Sequence, residues 1–328
     1  MENTYLDRTA SSGFTGNKVI EMEPLSCPPL LLMQSSDPII SNEQCETLIK
    51  YFDHITAAVG DATHNNLDAM QINSAQSLLE DVHDLIDKVT NCPRHDGESL
   101  IPRYVRYNPN LINNEILSDS RKLRDALLPD GCHVDTNNGK LFRHITAILY
   151  LTDNPSDDLN FGGGTTFPVA RPWIGRDIAT DDVMNDNTLL SSAKRLLERN
   201  VHHTKADEDQ SANSDGRQLE MAGVDAFNKD AANNNVQNSN KGLRVMPKAG
   251  RLIFFHNIND DGMPDATSFH GGEELISILA DEQSNPNFDR TKNILVFFKE
   301  VPVESFTDFQ SFTNCVAEAR RWTKDTYY

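Results

Sequence analysis

The stretch from residue 130 to 168, DGCHVDTNNGKLFRHITAILYLTDNPSDDLNFGGGTTFP, constrains the chain more than any other. Arg143 to Leu151 is rich in β-branched and aromatic residues and fits a strand. Alternation along it puts Thr146, Ile148 and Tyr150 on one face. Thr136-Asn137-Asn138-Gly139 reads as a turn before it, and Gly162-Gly163-Gly164 as a tight turn after it. The glycines do not form a phosphate cradle, because no helical pattern or Gly-Lys-Ser/Thr follows and Thr165 to Val169 is β-type.

Ahead of the strand, His133 and Asp135 stand two residues apart. At that spacing on a strand an imidazole and a carboxylate share a face and can converge on one point. Such pairs also arise by chance, so the pair needs a third group. A histidine on a different strand would complete the facial set of two histidines and one carboxylate that holds Fe(II) and leaves positions open. His270, in SFHGGEE, is the candidate.

In order and spacing, HVDTNNGKLFRHITAILYLTD, GGGTTFP, KAGRLIFFHN, SFHGG and KNILVFF resemble the prolyl 4-hydroxylase-type branch of the iron(II)- and 2-oxoglutarate-dependent dioxygenases. PLLLMQSSDPIISNEQCETLIKYF resembles that branch's opening strand and first helix, and IPRYVRYNP its first core strand. The resemblance implies a mainly β fold with flanking helices, a double-stranded β-helix (jelly roll, cupin-like), in which His133, Asp135 and His270 hold the iron. It further implies that Lys292, Tyr150, Thr146 and Tyr107 bind 2-oxoglutarate, Lys292 taking the distal carboxylate; Arg290 has the same strand parity and is the runner-up. The implied activity is hydroxylation of a C–H bond with O2, releasing succinate and CO2, with ascorbate as an accessory reductant. A prolyl residue in a peptide or protein is the leading substrate, ahead of a small molecule.

Two departures from the family pattern stand out. GGEELISILADEQSNPNFDR intervenes between His270 and Lys292, and Asn293 follows Lys292 where collagen-type relatives carry an aromatic. Two other readings stay open: a noncatalytic jelly-roll binding module, and a cupin-type metalloenzyme that does not use 2-oxoglutarate.

The formal charge of −19 makes nucleic acid an unfavourable partner. The longest apolar run, Pro28 to Met33, is far too short to cross a membrane, and MENTYLDRTASSG lacks the marks of a secretory signal, so an intracellular setting is expected. The five cysteines are dispersed without a C-x-x-C pair, which argues against a zinc site. Residues 1–24 read as a flexible arm and 25–328 as a single domain. A polar insertion at about 176–241, dominated by Asp and Asn, has one amphipathic piece at Leu189 to Leu197.

Ser41 to Gln44 has the capping-box pattern for a helix to about Phe52, and apolar spacing predicts further helices over Ser74 to Val89 and Phe306 to Trp322. Lys248-Ala249-Gly250 turns into Arg251 to Phe255, an apolar run typical of a strand buried on both faces. His54, His64, His83 and His95 read as solvated surface residues, His144 as a non-ligand, and His256 as a polar strand end.

Overall fold

Apolar runs with period-two alternation decide the architecture. In the computed structural model, which describes residues 20–57, 67–95, 97–107, 133–135, 141–154, 163–167, 169–173, 242–273, 291–302 and 308–328, those runs form two antiparallel sheets. The strands are β1 (Met22–Pro24), β2 (Leu32–Ser35), β3 (Arg103–Tyr107), β4 (Leu141–Tyr150), β5 (Thr165–Phe167), β6 (Leu243–Val245), β7 (Leu252–His256), β8 (Gly271–Gly272) and β9 (Lys292–Pro302). The helices are α1 (Asn42–Ala57), α2 (Ala69–Thr90) and α3 (Phe309–Tyr327). The larger sheet has six strands in the order β1-β2-β7-β4-β9-β3, and the smaller has three, β6-β5-β8.

Each central strand of the larger sheet feeds two cores. Ile145, Ala147 and Leu149 of β4, with Leu252, Phe254, Leu295 and Phe297, pack beneath Leu48 and Phe52 of α1 and Leu78, Val82 and Ile86 of α2. The alternate residues Ile148 and Tyr150, with Ile253, Phe255 and Ile294, face the smaller sheet and meet Phe167 and Val245. Both faces of β4 and β7 are therefore covered, which is why neither strand alternates apolar residues with solvated polar ones. The expected common face of Thr146, Ile148 and Tyr150 is this inner one.

The helices follow their caps. At α1 the Ser41 N–H donates to Gln44 Oε1 at 2.8 Å and the Gln44 N–H to Ser41 Oγ at 3.3 Å, the expected capping box. The helix runs a turn beyond Phe52, to Ala57. α2 starts at Ala69, ahead of the expected Ser74, because Asp68 and Gln71 form a second capping box.

Two expectations, for His83 and for Met22 to Pro24, are corrected. His83 is not solvated: it is 4% exposed, its Nε2 lies 3.0 Å from the Leu100 carbonyl, and its ring stands edge-on to Phe297. It falls four residues after Leu79, inside the buried stripe of α2, and the hydrogen bond offsets the cost of burying an imidazole. Arg320, near the end of α3, is buried as well. Its guanidinium is buried and donates to Asp260 at 2.6 Å, to the Ile258 carbonyl at 3.0 Å and to the Pro29 carbonyl at 2.9 Å. Met22 to Pro24, within the stretch read as an arm, pair with β2.

The insertion at 176–241, the segment 274–290 with Arg290, and His64 and Cys132 lie outside the described residues. Among the described residues no helix is long and apolar enough to cross a membrane.

Gly250 closes the turn into β7 at φ +75°, its N–H donating to the Tyr150 carbonyl at 2.8 Å and its carbonyl accepting from Ile39 at 2.7 Å. A Cβ there would collide with the Ile40 carbonyl oxygen. Gly250→Ala is expected to lower unfolding stability by at least about 1–2 kcal/mol, the cost of a left-handed alanine before any clash. Urea denaturation of the two proteins checks this, and an unchanged midpoint would refute it.

Candidate metal centre

His133 and His270 are brought together by backbone, before any side-chain contact. The His133 N–H donates to the His270 carbonyl at 2.9 Å and the His270 N–H to the His133 carbonyl at 3.0 Å, a two-bond antiparallel bridge. His270 leads directly into β8, which pairs with β5, so the bridge places His133 beside the smaller sheet. The two rings lie 4.7 Å apart, centroid to centroid.

Asp135 then meets both rings. Its Oδ1 is 3.5 Å from His133 Nε2 and its Oδ2 3.5 Å from His270 Nε2. One ligand atom from each of the three residues falls within 4.8 Å of the others. Metal–ligand bonds of about 2.1 Å at right angles set neighbouring donor atoms about 3 Å apart, so small side-chain shifts suffice to close the set on one cation.

The electrostatics suit that role. His270 Nδ1 lies 2.9 Å from the Ser268 carbonyl and donates to it, which leaves Nε2 as the lone-pair nitrogen facing Asp135. Burial against Phe255 and Phe167 pushes the His270 pKa down to about 4, so the ring is neutral near pH 7. At Asp135 burial works to raise the pKa, but the hydrogen bond and charge of His133, the charge of His270 and the Thr146 hydroxyl outweigh it and hold the carboxyl well below the usual range. Neutral imidazoles beside an ionised carboxylate are the forms that bind a divalent metal. The His133 side chain is 43% exposed while those of His270 and Asp135 are 7% and 8% exposed, so the cluster is approached from the His133 side.

The groups expected around 2-oxoglutarate divide between two places. Thr146 lies against the candidate ligand set: its hydroxyl donates to Asp135 Oδ2 at 2.9 Å and accepts from Asn257 Nδ2 at 2.7 Å. Tyr150 and Lys292 instead reach the start of β5. The Tyr150 hydroxyl is 2.8 Å from Thr165 Oγ1, and the fully buried Lys292 Nζ is 3.4 Å from the carbonyls of Gly164 and Glu273. Tyr107 pairs with Lys292 in the β3–β9 ladder; its side chain lies outside the described residues.

Sequence reasoning missed Asn257, Thr165, Arg244 and Glu273. Glu273 forms a buried ion pair with Arg244 and accepts from the Gly164 N–H at 3.0 Å. A Cβ on Gly164 would come 2.6 Å from Arg244 Nε, which explains one glycine of the run by close approach. His256, read as a polar strand end, is fully buried on the helix side, its Nε2 2.9 Å from Thr323 Oγ1 of α3.

No family model matches the chain, and no curated protein matches it. Among solved structures, it is similar to two of the viral collagen prolyl hydroxylase vCPH from Paramecium Bursaria Chlorella virus-1. One, a 2OG complex, has TM-score 0.35 and 13% identity over 81% of this chain and 93% of that one. The other, a truncated form, has TM-score 0.34 and 12% identity over 88% of this chain and 97% of that one. At those scores the likeness assigns no residue a role.

Burial lowers the pKa of His144 and His270 to about 4, and that of His256 well below its ordinary value. Below the ordinary imidazole value of about 6.5, the unfolded chain therefore binds protons that the folded chain refuses. Stability of the metal-free protein should fall as pH drops from about 6.5 towards 4, by up to about 4 kcal/mol per pH unit for three histidines acting together. Urea denaturation at pH 7, 5.5 and 4.5 measures this; a flat profile would contradict the buried neutral rings.

Proposed function

We propose that the chain is an iron(II)- and 2-oxoglutarate-dependent dioxygenase of double-stranded β-helix (jelly-roll) fold that hydroxylates a C–H bond in a peptide or protein, a prolyl residue first among targets. The observation that carries this reading is the convergence of His133, Asp135 and His270 within 4.8 Å, with Asp135 ionised and His270 neutral. Two imidazoles and one carboxylate are the donor set of the facial triad with open positions that marks non-haem Fe(II) oxygenases. The opposed sheets support the jelly-roll reading, since cofactor sites of such folds sit between their layers.

When bound, iron, O2 and 2-oxoglutarate supply the oxidation, with decarboxylation to succinate. The protein's part is placement. His133 and His270 offer nitrogen donors and Asp135 the anionic one. Lys292 and Tyr150, arriving from neighbouring strands at Gly164-Thr165, offer an ammonium and a hydroxyl in a dry setting, a pair suited to the distal carboxylate of 2-oxoglutarate. The exposed flank of His133 is the side from which a peptide reaches the centre. The choice of proline comes from the sequence resemblance.

The test is succinate release with Fe(II), 2-oxoglutarate and a panel of proline-containing and control peptides. Lys292→Met should raise KM for 2-oxoglutarate by about 10–100-fold, the effect of losing a charged hydrogen bond worth about 1.5–3 kcal/mol, with circular dichroism reporting retention of fold. Metal-dependent turnover that needs no 2-oxoglutarate and ignores Lys292→Met would refute this reading in favour of a cupin-type metalloenzyme.

A further inference from the structure

Asp135 is held by a chain of side chains that reaches beyond the ligands. Thr146 Oγ1 donates to Asp135 Oδ2, and Asn257 Nδ2 donates to Thr146 Oγ1; Thr146 and Asn257 are both fully buried. Charge sets the direction of the chain. An ionised carboxylate only accepts, so Thr146 must give it its single proton, and the threonine oxygen is left to accept from the amide. Asn257 is fixed in turn by backbone: its N–H donates to the His144 carbonyl of β4 at 2.9 Å, and its carbonyl accepts from the Asp265 N–H at 2.7 Å. Asp265 caps the 3-10 turn Ala266–Ser268, whose last carbonyl receives His270 Nδ1. One asparagine thus joins β4, the end of β7 and the loop that delivers His270.

Asn257 also carries a cost that a packing residue would avoid, since its Oδ1 is buried with no hydrogen-bond partner. A buried amide oxygen left unsatisfied is destabilising, so an apolar side chain of similar shape would serve the fold at least as well.

We propose that Asn257 and Thr146 are positioning residues of the metal centre: the Asn257–Thr146–Asp135 relay fixes the rotation of the Asp135 carboxylate and thereby sets the affinity for the divalent metal. The inference rests on His133, Asp135 and His270 being the metal ligands. Partners of ligating carboxylates and imidazoles typically contribute 10- to 100-fold in metal affinity. The relay also accounts for Thr146 sitting away from Lys292 and Tyr150.

Titration with Co(II), followed by its visible ligand-field absorption, tests the relay on wild type, Thr146→Val, Thr146→Ser and Asn257→Leu. Thr146→Val should bind Co(II) about 10–100-fold more weakly, and Thr146→Ser, which keeps the hydroxyl, within a few-fold of wild type. Asn257→Leu should weaken binding while the metal-free protein unfolds at or above the wild-type midpoint, a separation that a structural role would not give. Wild-type affinity in Thr146→Val and Asn257→Leu overturns the relay, and if Thr146→Val does not fold, Asn257→Leu decides alone. A wild-type protein that takes up no Co(II) overturns the ligand assignment itself, and the relay with it.

Discussion

Two backbone hydrogen bonds between His133 and His270 hold the site together, and most of the remaining geometry depends on them. They join segments 137 residues apart in sequence, since the positions are 133 and 270, and they do so without help from the ligand side chains. The imidazoles are therefore brought close by the backbone itself. Asp135 follows two residues later on the same segment and falls between the two Nε2 atoms. A centre built this way has much of its ordering cost met by folding, which is the condition for tight and specific metal binding.

The surroundings then decide the chemistry of those three groups. Phe255 and Phe167 wall His270 and keep it neutral, while Thr146 and the imidazoles keep Asp135 ionised. The same inner face of the larger sheet, two and four residues further along β4 and at the start of β9, carries Ile148, Tyr150 and Lys292. The result is a gradient along one surface: the candidate metal-binding groups at one end, an apolar stretch in the middle, an ammonium and a hydroxyl at the other.

Much of this was legible because strands have period two. The shared face of Thr146, Ile148 and Tyr150 follows from alternation alone, whereas His133 and Asp135 converge from an isolated bridge outside the named strands. The capping box at Ser41 was readable for a similar reason, since its partners are three residues apart. His83 was misread because acidic Glu80, Asp81 and Asp84 around it suggest solvent, although its place four residues after Leu79 puts it in the buried stripe of α2. Asn257 could not be found at all. Its role exists only because the β4–β7 register, Ile145 against His256 and Thr146 against Phe255, brings it to Thr146, and a register between strands so far apart leaves no local mark in the sequence. The same holds for Arg320, whose partners Pro29, Ile258 and Asp260 come from two distant loops.

The most direct test of the central claim is anaerobic titration of the metal-free protein with Fe(II) and 2-oxoglutarate, recording visible absorption and bound iron. The account requires one Fe(II) per chain, a weak visible charge-transfer band that grows only when both are present, and loss of both signals in His270→Ala. Iron binding that survives His270→Ala, or a wild-type protein that shows no band at saturating Fe(II) and 2-oxoglutarate, would contradict it.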